Sequence, residues 1–247
     1  MTLGIIGGTG VEEWAGAKIV REQADPTAYG TPSVPLQCFE WCGQQVWFLS
    51  RHGDGHVVAP HLVNYRANIQ SLRDVGVTTV IALNAVGVIG ERCPVGGIAL
   101  PAQLIDYTWG RASTFFDGEA APLQHIDFSE PYTESLRQSL LAAARQHDIE
   151  LADGGVYGAT QGPRLETAAE VDRLERDGVD FIGMTGAPEA ALAREAELHY
   201  ACVALVVNAA AGRGSVGIHV ELERQLATAR AQATELVRSF VASMPQN

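Results

Sequence analysis

Short apolar and β-branched runs alternate with amphipathic stretches along this chain, and that alternation constrains the fold more than any other feature. Residues 3–6 form an apolar run that ends in Gly7-Gly8-Thr9-Gly10, a strand feeding a tight loop. Residues 36–42 and 45–50 flank Gly43-Gln44 as the arms of a hairpin. Over residues 61–75, Leu62, Tyr65, Ile69, Leu72 and Val75 fall on one helical face. Residues 78–83 read as a buried strand. Residues 131–147, 166–176 and 188–197 read as helices, and the last two are each followed by a strand, at 180–184 and 200–207. An Ala-rich helix over 220–243 closes the sequence. Strands and helices in this order predict an α/β fold with a largely buried sheet. No repeat, low-complexity tract or charged linker interrupts the 247 residues, so a single domain over 1–247 is expected.

The balance of charge narrows the partners. A formal net charge of −12 argues against nucleic acid, whose phosphates need a basic surface. A small anion remains open, because a few local donors outweigh a distant field. The longest apolar runs, such as 98–100 and 201–207, fall far short of the ~20 residues of a membrane span. No basic segment precedes the first apolar stretch, so no secretory signal is read and a cytoplasmic location is expected. Cys38, Cys42, Cys93 and Cys202 form no CxxC pair and have no His at metal spacing, which leaves all four structural. His56, His61, His147 and His199 likewise have no partner at ligand spacing and read as structural.

Three motifs carry chemistry. Gly7-Gly8-Thr9-Gly10 after a strand lets backbone N–H groups approach an anion, and Thr9 adds a hydroxyl. A dinucleotide fingerprint needs a third glycine where Glu13 stands, and the Gly-Lys-Ser/Thr end of a nucleotide loop is absent. Arg51-His52-Gly53 follows a strand; Arg51 can fork two N–H bonds onto phosphate and His52 can add a donor. Met184-Thr185-Gly186 ends another strand, where ligands collect in open α/β sheets. Each alone is also compatible with a plain turn, a surface ion pair or core packing.

Together the segments GIIGGTG (4–10), RHG (51–53), VNYRANI (63–69), HIDFSEPY (125–132), TQGPRLET (160–167) and GMTGAPEAALARE (183–195) run through most of the chain. In order and spacing the chain resembles the trimeric purine nucleoside phosphorylases, most closely their methylthionucleoside-cleaving branch. That resemblance implies one nucleoside phosphorylase-like domain with a mixed central sheet flanked by helices. It implies phosphorolysis of a purine nucleoside, with inorganic phosphate as co-substrate and neither cofactor nor metal. Thr9, Arg51, His52, Asn84, Ala85 and Thr185 would hold phosphate, and Met184 would lie against the ribose. Leu165 and Ala210 would join the substrate pocket. His125 would reach the neighbouring site of a homotrimer, near the sugar 5′ group. Asn84 departs from the hydroxyl residue usual in the family's methylthioadenosine enzymes, which puts only its side-chain contact in question.

The resemblance also bears on the base. Members that cleave 6-aminopurines carry Thr-Asp-x-Asp where this chain has Val207-Asn208-Ala209-Ala210. Those acting on inosine and guanosine carry Asn there, paired with the Glu of a Gly-Pro-x-Phe-Glu-Thr motif. Gly162-Pro163-Arg164-Leu165-Glu166-Thr167 puts Glu166 in that place. An amide at Asn208 can donate to O6 and contact N7–H, and Glu166 can accept the purine N1–H. Both imply a 6-oxopurine, S-methyl-5′-thioinosine foremost, with Asn208 stabilising the leaving base. The other use for Glu166 is a carboxylate at a helix N-terminus. For the 5′ pocket, His219, Val220 and Leu222 are the candidates: His219 would favour a hydroxyl, Val220 a methylthio group. Inosine, guanosine or methylthioadenosine phosphorolysis, a hydrolytic nucleosidase and a dinucleotide-binding module are the alternatives.

Overall fold

The computed structural model describes residues 1–8, 18–118, 121–215 and 217–245; Thr9, expected at the phosphate, lies outside them. The elements run β1 (Leu3–Gly7), β2 (Lys18–Gln23), β3 (Leu36–Trp41), β4 (Gln44–Ser50), α1 (Tyr65–Asp74), β5 (Thr79–Val88), β6 (Ile98–Leu100) and β7 (Gln103–Asp106). They continue with α2 (Glu134–Gln146), β8 (Leu151–Asp153), β9 (Val156–Ala159), α3 (Ala168–Arg176), β10 (Phe181–Gly183), α4 (Gly186–Glu195), β11 (His199–Ala209) and α5 (Ile218–Ser243). Among the described residues no helix is long and apolar enough to cross a membrane.

The strands join in one mixed sheet of order β2-β3-β4-β1-β5-β10-β9-β7, with β11 pairing β5 and β6, and β6 pairing β8. This is the α/β architecture expected. Two apolar layers cover the sheet. Ile69 and Leu72 of α1 and Ala190 and Leu192 of α4 pack on one side. Leu136 and Leu140 of α2 and Leu236 and Phe240 of α5 pack on the other. The β3–β4 hairpin turns at Cys42 and Gly43, whose φ values of 51° and 75° suit a tight two-residue reversal. Cys42 is therefore exposed at the turn, unlike Cys38, Cys93 and Cys202, which are buried; the structural reading fails for that one thiol.

The centre of the sheet is where its pairing changes. Residues 79–82 of β5 lie between β1, parallel through Leu3↔Thr79 to Ile6↔Ala82, and β11. At Gly87 and Val88 the neighbour on the β1 side is β10, running antiparallel. Between them, Leu83–Val86 has no strand on that side among the described residues, and a gap opens between the ends of β1 and β10. Such a switch of neighbours at strand ends is where open α/β sheets bind ligands.

Candidate active site

A cavity of about 400 Å³ occupies this gap. Gly8, Arg51, His52, Ala85 and Thr185 line it together with Met184, Glu166, Leu165, Asn208 and Ala210.

Arg51 is only 1% exposed, yet it reaches the cavity. Its Nε donates to Glu189 Oε2 at 2.6 Å and its Nη2 to Glu189 Oε1 at 2.8 Å. Nη2 also donates to Asn84 Oδ1 at 3.3 Å, and Nη1 to the Leu83 carbonyl at 3.2 Å. Burial disfavours the guanidinium charge, but Glu189 more than offsets it and holds the group above its ordinary pKa. Four of five N–H groups are thus engaged among the described residues, and the fifth sits on Nη1, the atom facing Gly8. The expected two-bond fork from Arg51 to phosphate is occupied by Glu189 instead. Asn84 completes the cluster by donating from Nδ2 to Thr185 Oγ1 at 2.8 Å.

His52 Nδ1 lies 2.8 Å from the Val58 carbonyl, which can only accept, so Nδ1 carries the proton. Burial, then the Arg51 charge, pushes His52 down to about 4, leaving its Nε2 an acceptor at neutral pH rather than the donor expected. An unfolded histidine takes its proton near 6.5, so between these values the unfolded chain binds more protons than the folded one. Stability should therefore fall as pH drops from about 6.5 towards 4, by up to about 1.4 kcal/mol per unit from this residue. Melting curves of wild type and His52→Gln across that window test it: the variant should lose less stability on acidification. An equal loss in both would remove His52 as the cause.

The place of Asn208 in the cavity depends on a bulge. The pairing of β11 with β5 shifts register between Val206 and Asn208. One extra residue flips the alternation, so Leu205 and Val207 before it and Asn208 and Ala210 after it all face the cavity. Asn208 Nδ2 donates to the Ala209 carbonyl at 2.7 Å. It fits there because residue 87 is glycine; an added Cβ would lie 2.9 Å from that nitrogen. Glu166 Oε1 accepts from Thr160 Oγ1 at 2.6 Å. The helix-terminus use falls to Glu170 instead, which forms a capping box with Thr167 at the start of α3 and leaves Glu166 outside the helix. Gly162, at φ 61°, lets the Met184 thioether pack directly on its backbone.

The phosphorylase superfamily model matches residues 2–242. The chain belongs to the phosphorylase superfamily. It is 52% identical over 214 residues to a probable S-methyl-5′-thioinosine phosphorylase of Xanthomonas campestris pv. campestris, covering 87% of this chain and 86% of that one. It is 39% identical over 249 residues to the 6-oxopurine nucleoside phosphorylase of Pyrococcus furiosus, covering 98% and 92%. A solved structure of an adenosine/methylthioadenosine phosphorylase variant from Schistosoma mansoni, in complex with methylthioadenosine, superposes with a TM-score of 0.90 at 33% identity, over 98% of this chain and 90% of that one.

Within this phosphorylase fold, the candidates divide. Arg51, His52, Ala85, Thr185, Met184, Leu165, Glu166, Asn208 and Ala210 share the cavity, with Asn84 directly behind it. His219 and Val220 do not line it. Ile218, Leu222 and Leu226 do, at four-residue steps that make one stripe of α5, and a helix turns the intervening side chains away. His125 is exposed on the single chain. Sequence reasoning missed three participants. His56, set aside as structural, lines the cavity with its ring centroid 4.3 Å from that of His52; its nearness to the Arg51-His52 motif was the available signal. Glu189 is paired with an arginine 138 positions away, for which no local signal exists. Arg111 donates to the carbonyls of Gln161, Met184 and Ala187, tying together two loops at the cavity.

Proposed function

We propose that this chain cleaves 6-oxopurine nucleosides by phosphorolysis, S-methyl-5′-thioinosine foremost, releasing hypoxanthine and 5-methylthioribose 1-phosphate. The observation carrying the reading is that Asn208 and Glu166 share one cavity with Arg51 and Thr185. Phosphate oxygen attacks C1′ as the C1′–N9 bond breaks; the electron pair of that bond passes to the purine, whose N7 takes a proton from water. Thr185, the remaining Arg51 N–H and backbone donors place the anion beside a sugar of cationic character, which supplies proximity and charge stabilisation. His52 Nε2 accepts a hydrogen bond from the hydroxyl of hydrogen phosphate, with no transfer of its proton. Asn208 donates to O6 and contacts N7–H, while Glu166 accepts from N1–H. The apolar stripe Ile218, Leu222 and Leu226 suits a methylthio group better than a hydroxyl, which would be left unpaired there. No metal or cofactor enters this scheme. The reading takes residues 1–247 as one domain acting in the cytoplasm as a homotrimer, in which His125 reaches the neighbouring cavity near the 5′ group.

The test is purine release from methylthioinosine, inosine and methylthioadenosine, each with and without phosphate. Phosphate-dependent cleavage, fastest on methylthioinosine, is expected. Turnover without phosphate would make the chain a hydrolase. Preference for methylthioadenosine would overturn the base assignment, and preference for inosine the 5′ assignment.

A further inference from the structure

Glu189 lies wholly outside solvent and outside the cavity, yet both its carboxylate oxygens are directed at the buried back of the site. Oε2 accepts from Arg51 Nε, and Oε1 accepts from Arg51 Nη2 and from the Tyr200 hydroxyl at 2.8 Å. Buried ion pairs are poor stabilising devices, because removing two charges from water costs as much as their attraction returns. Apolar side chains of the same volume would serve the core equally well, so the pair calls for another explanation. Its placement supplies one. Glu189 belongs to α4, whose N-terminus begins directly after Thr185, and Thr185 is held by Asn84, another acceptor of Arg51.

We propose that Glu189, steadied by Tyr200, is a positioning residue for phosphate: by holding the Nε–Nη2 edge of the Arg51 guanidinium it leaves one Nη1–H turned to Gly8 and the cavity. This rests on the reading that the cavity takes phosphate. The bidentate contact fixes the plane of the guanidinium, which a single bond would leave free to rotate. The Tyr200 hydroxyl fixes the carboxylate in turn. Glutamine at 189 would keep one acceptor but set an N–H₂ against an Arg51 N–H, tilting the fork.

The sign of the effect separates this role from a purely electrostatic one. If Glu189 only neutralised Arg51, its removal would strengthen the pull on an anion and lower the KM for phosphate. If it positions Arg51, the KM for phosphate rises. The experiment uses full-length wild type, Glu189→Gln, Glu189→Asp and Tyr200→Phe. Phosphate KM is measured at saturating nucleoside, and nucleoside KM at saturating phosphate. Glu189→Gln should raise phosphate KM roughly tenfold or more, as expected for loss of a charged hydrogen bond, with nucleoside KM changed by less than about twofold. Glu189→Asp should recover part of that loss, and Tyr200→Phe should raise phosphate KM a few-fold. An unchanged or lowered phosphate KM in Glu189→Gln, with only its melting temperature reduced, would overturn the proposal. Should Glu189→Gln not fold, Tyr200→Phe decides alone, since it keeps the ion pair: an unchanged phosphate KM there overturns the proposal equally. Wild-type turnover without phosphate would instead defeat the underlying phosphorylase reading, a different result from phosphate-dependent turnover indifferent to Glu189.

Discussion

Asn208→Asp should lower kcat/KM on methylthioinosine by roughly ten- to a hundredfold and raise it on methylthioadenosine. The bulge in β11 delivers residue 208 to the cavity whatever its side chain, so the change acts on chemistry rather than on place. A carboxylate there cannot donate to O6. It would meet the oxygen's lone pairs across a buried gap, and an unsatisfied polar pair of that kind costs about 1–3 kcal/mol. A 6-amino group reverses the situation, because its N–H donates to the new carboxylate. Glu166, still matched to an N1–H that adenine lacks, limits the gain. The ratio of the two kcat/KM values is the measurement. An unmoved ratio would show that Asn208 does not read the base.

Arg51→Met should abolish phosphate-dependent turnover and destabilise the chain by about 3–5 kcal/mol. Both effects have one origin. Glu189, 0% exposed, would be left as a buried carboxylate with, among the described residues, only the Tyr200 hydroxyl to satisfy it. Urea unfolding of the single variant and of the double variant Arg51→Met/Glu189→Leu separates the contributions. Removing both charges should recover most of the stability, because the penalty lies in the orphaned charge rather than in the lost attraction. Activity should stay lost in both. Equal instability of the single and double variants would mean that packing, not charge, dominates at this position.

Elements with a strong local pattern were legible before any coordinates. Residues 200–207 are apolar throughout because β11 is sandwiched between two layers, and of the helical face expected over 61–75, Tyr65, Ile69 and Leu72 are buried on α1, while Leu62 is exposed in a 3-10 turn at Pro60–Leu62. Strand β2 was not legible. Its residues are nearly all exposed and carry no alternation, so pairing with β3, rather than its own composition, makes it a strand. The site divides along the same line. Arg51, Thr185 and Met184 stand at strand ends, where position follows from the run preceding them. The pairing of Arg51 with Glu189 and the hold of Arg111 on two loops join residues far apart in sequence, and neither side announces the other. At α5 the obstacle was register: successive side chains stand about 100° apart around a helix, so of the candidates His219, Val220 and Leu222 only Leu222 falls on the face that lines the cavity.

Glu221, in the first turn of α5, accepts through Oε2 from the backbone N–H of Ala209 at 2.8 Å, immediately after Asn208. 

The α5 stripe that lines the cavity is therefore tethered to the bulged strand end that carries Asn208. Under the proposed function these two surfaces face the sugar and the base, so a substitution that shifts the start of α5 is expected to disturb base selectivity as well as the 5′ pocket.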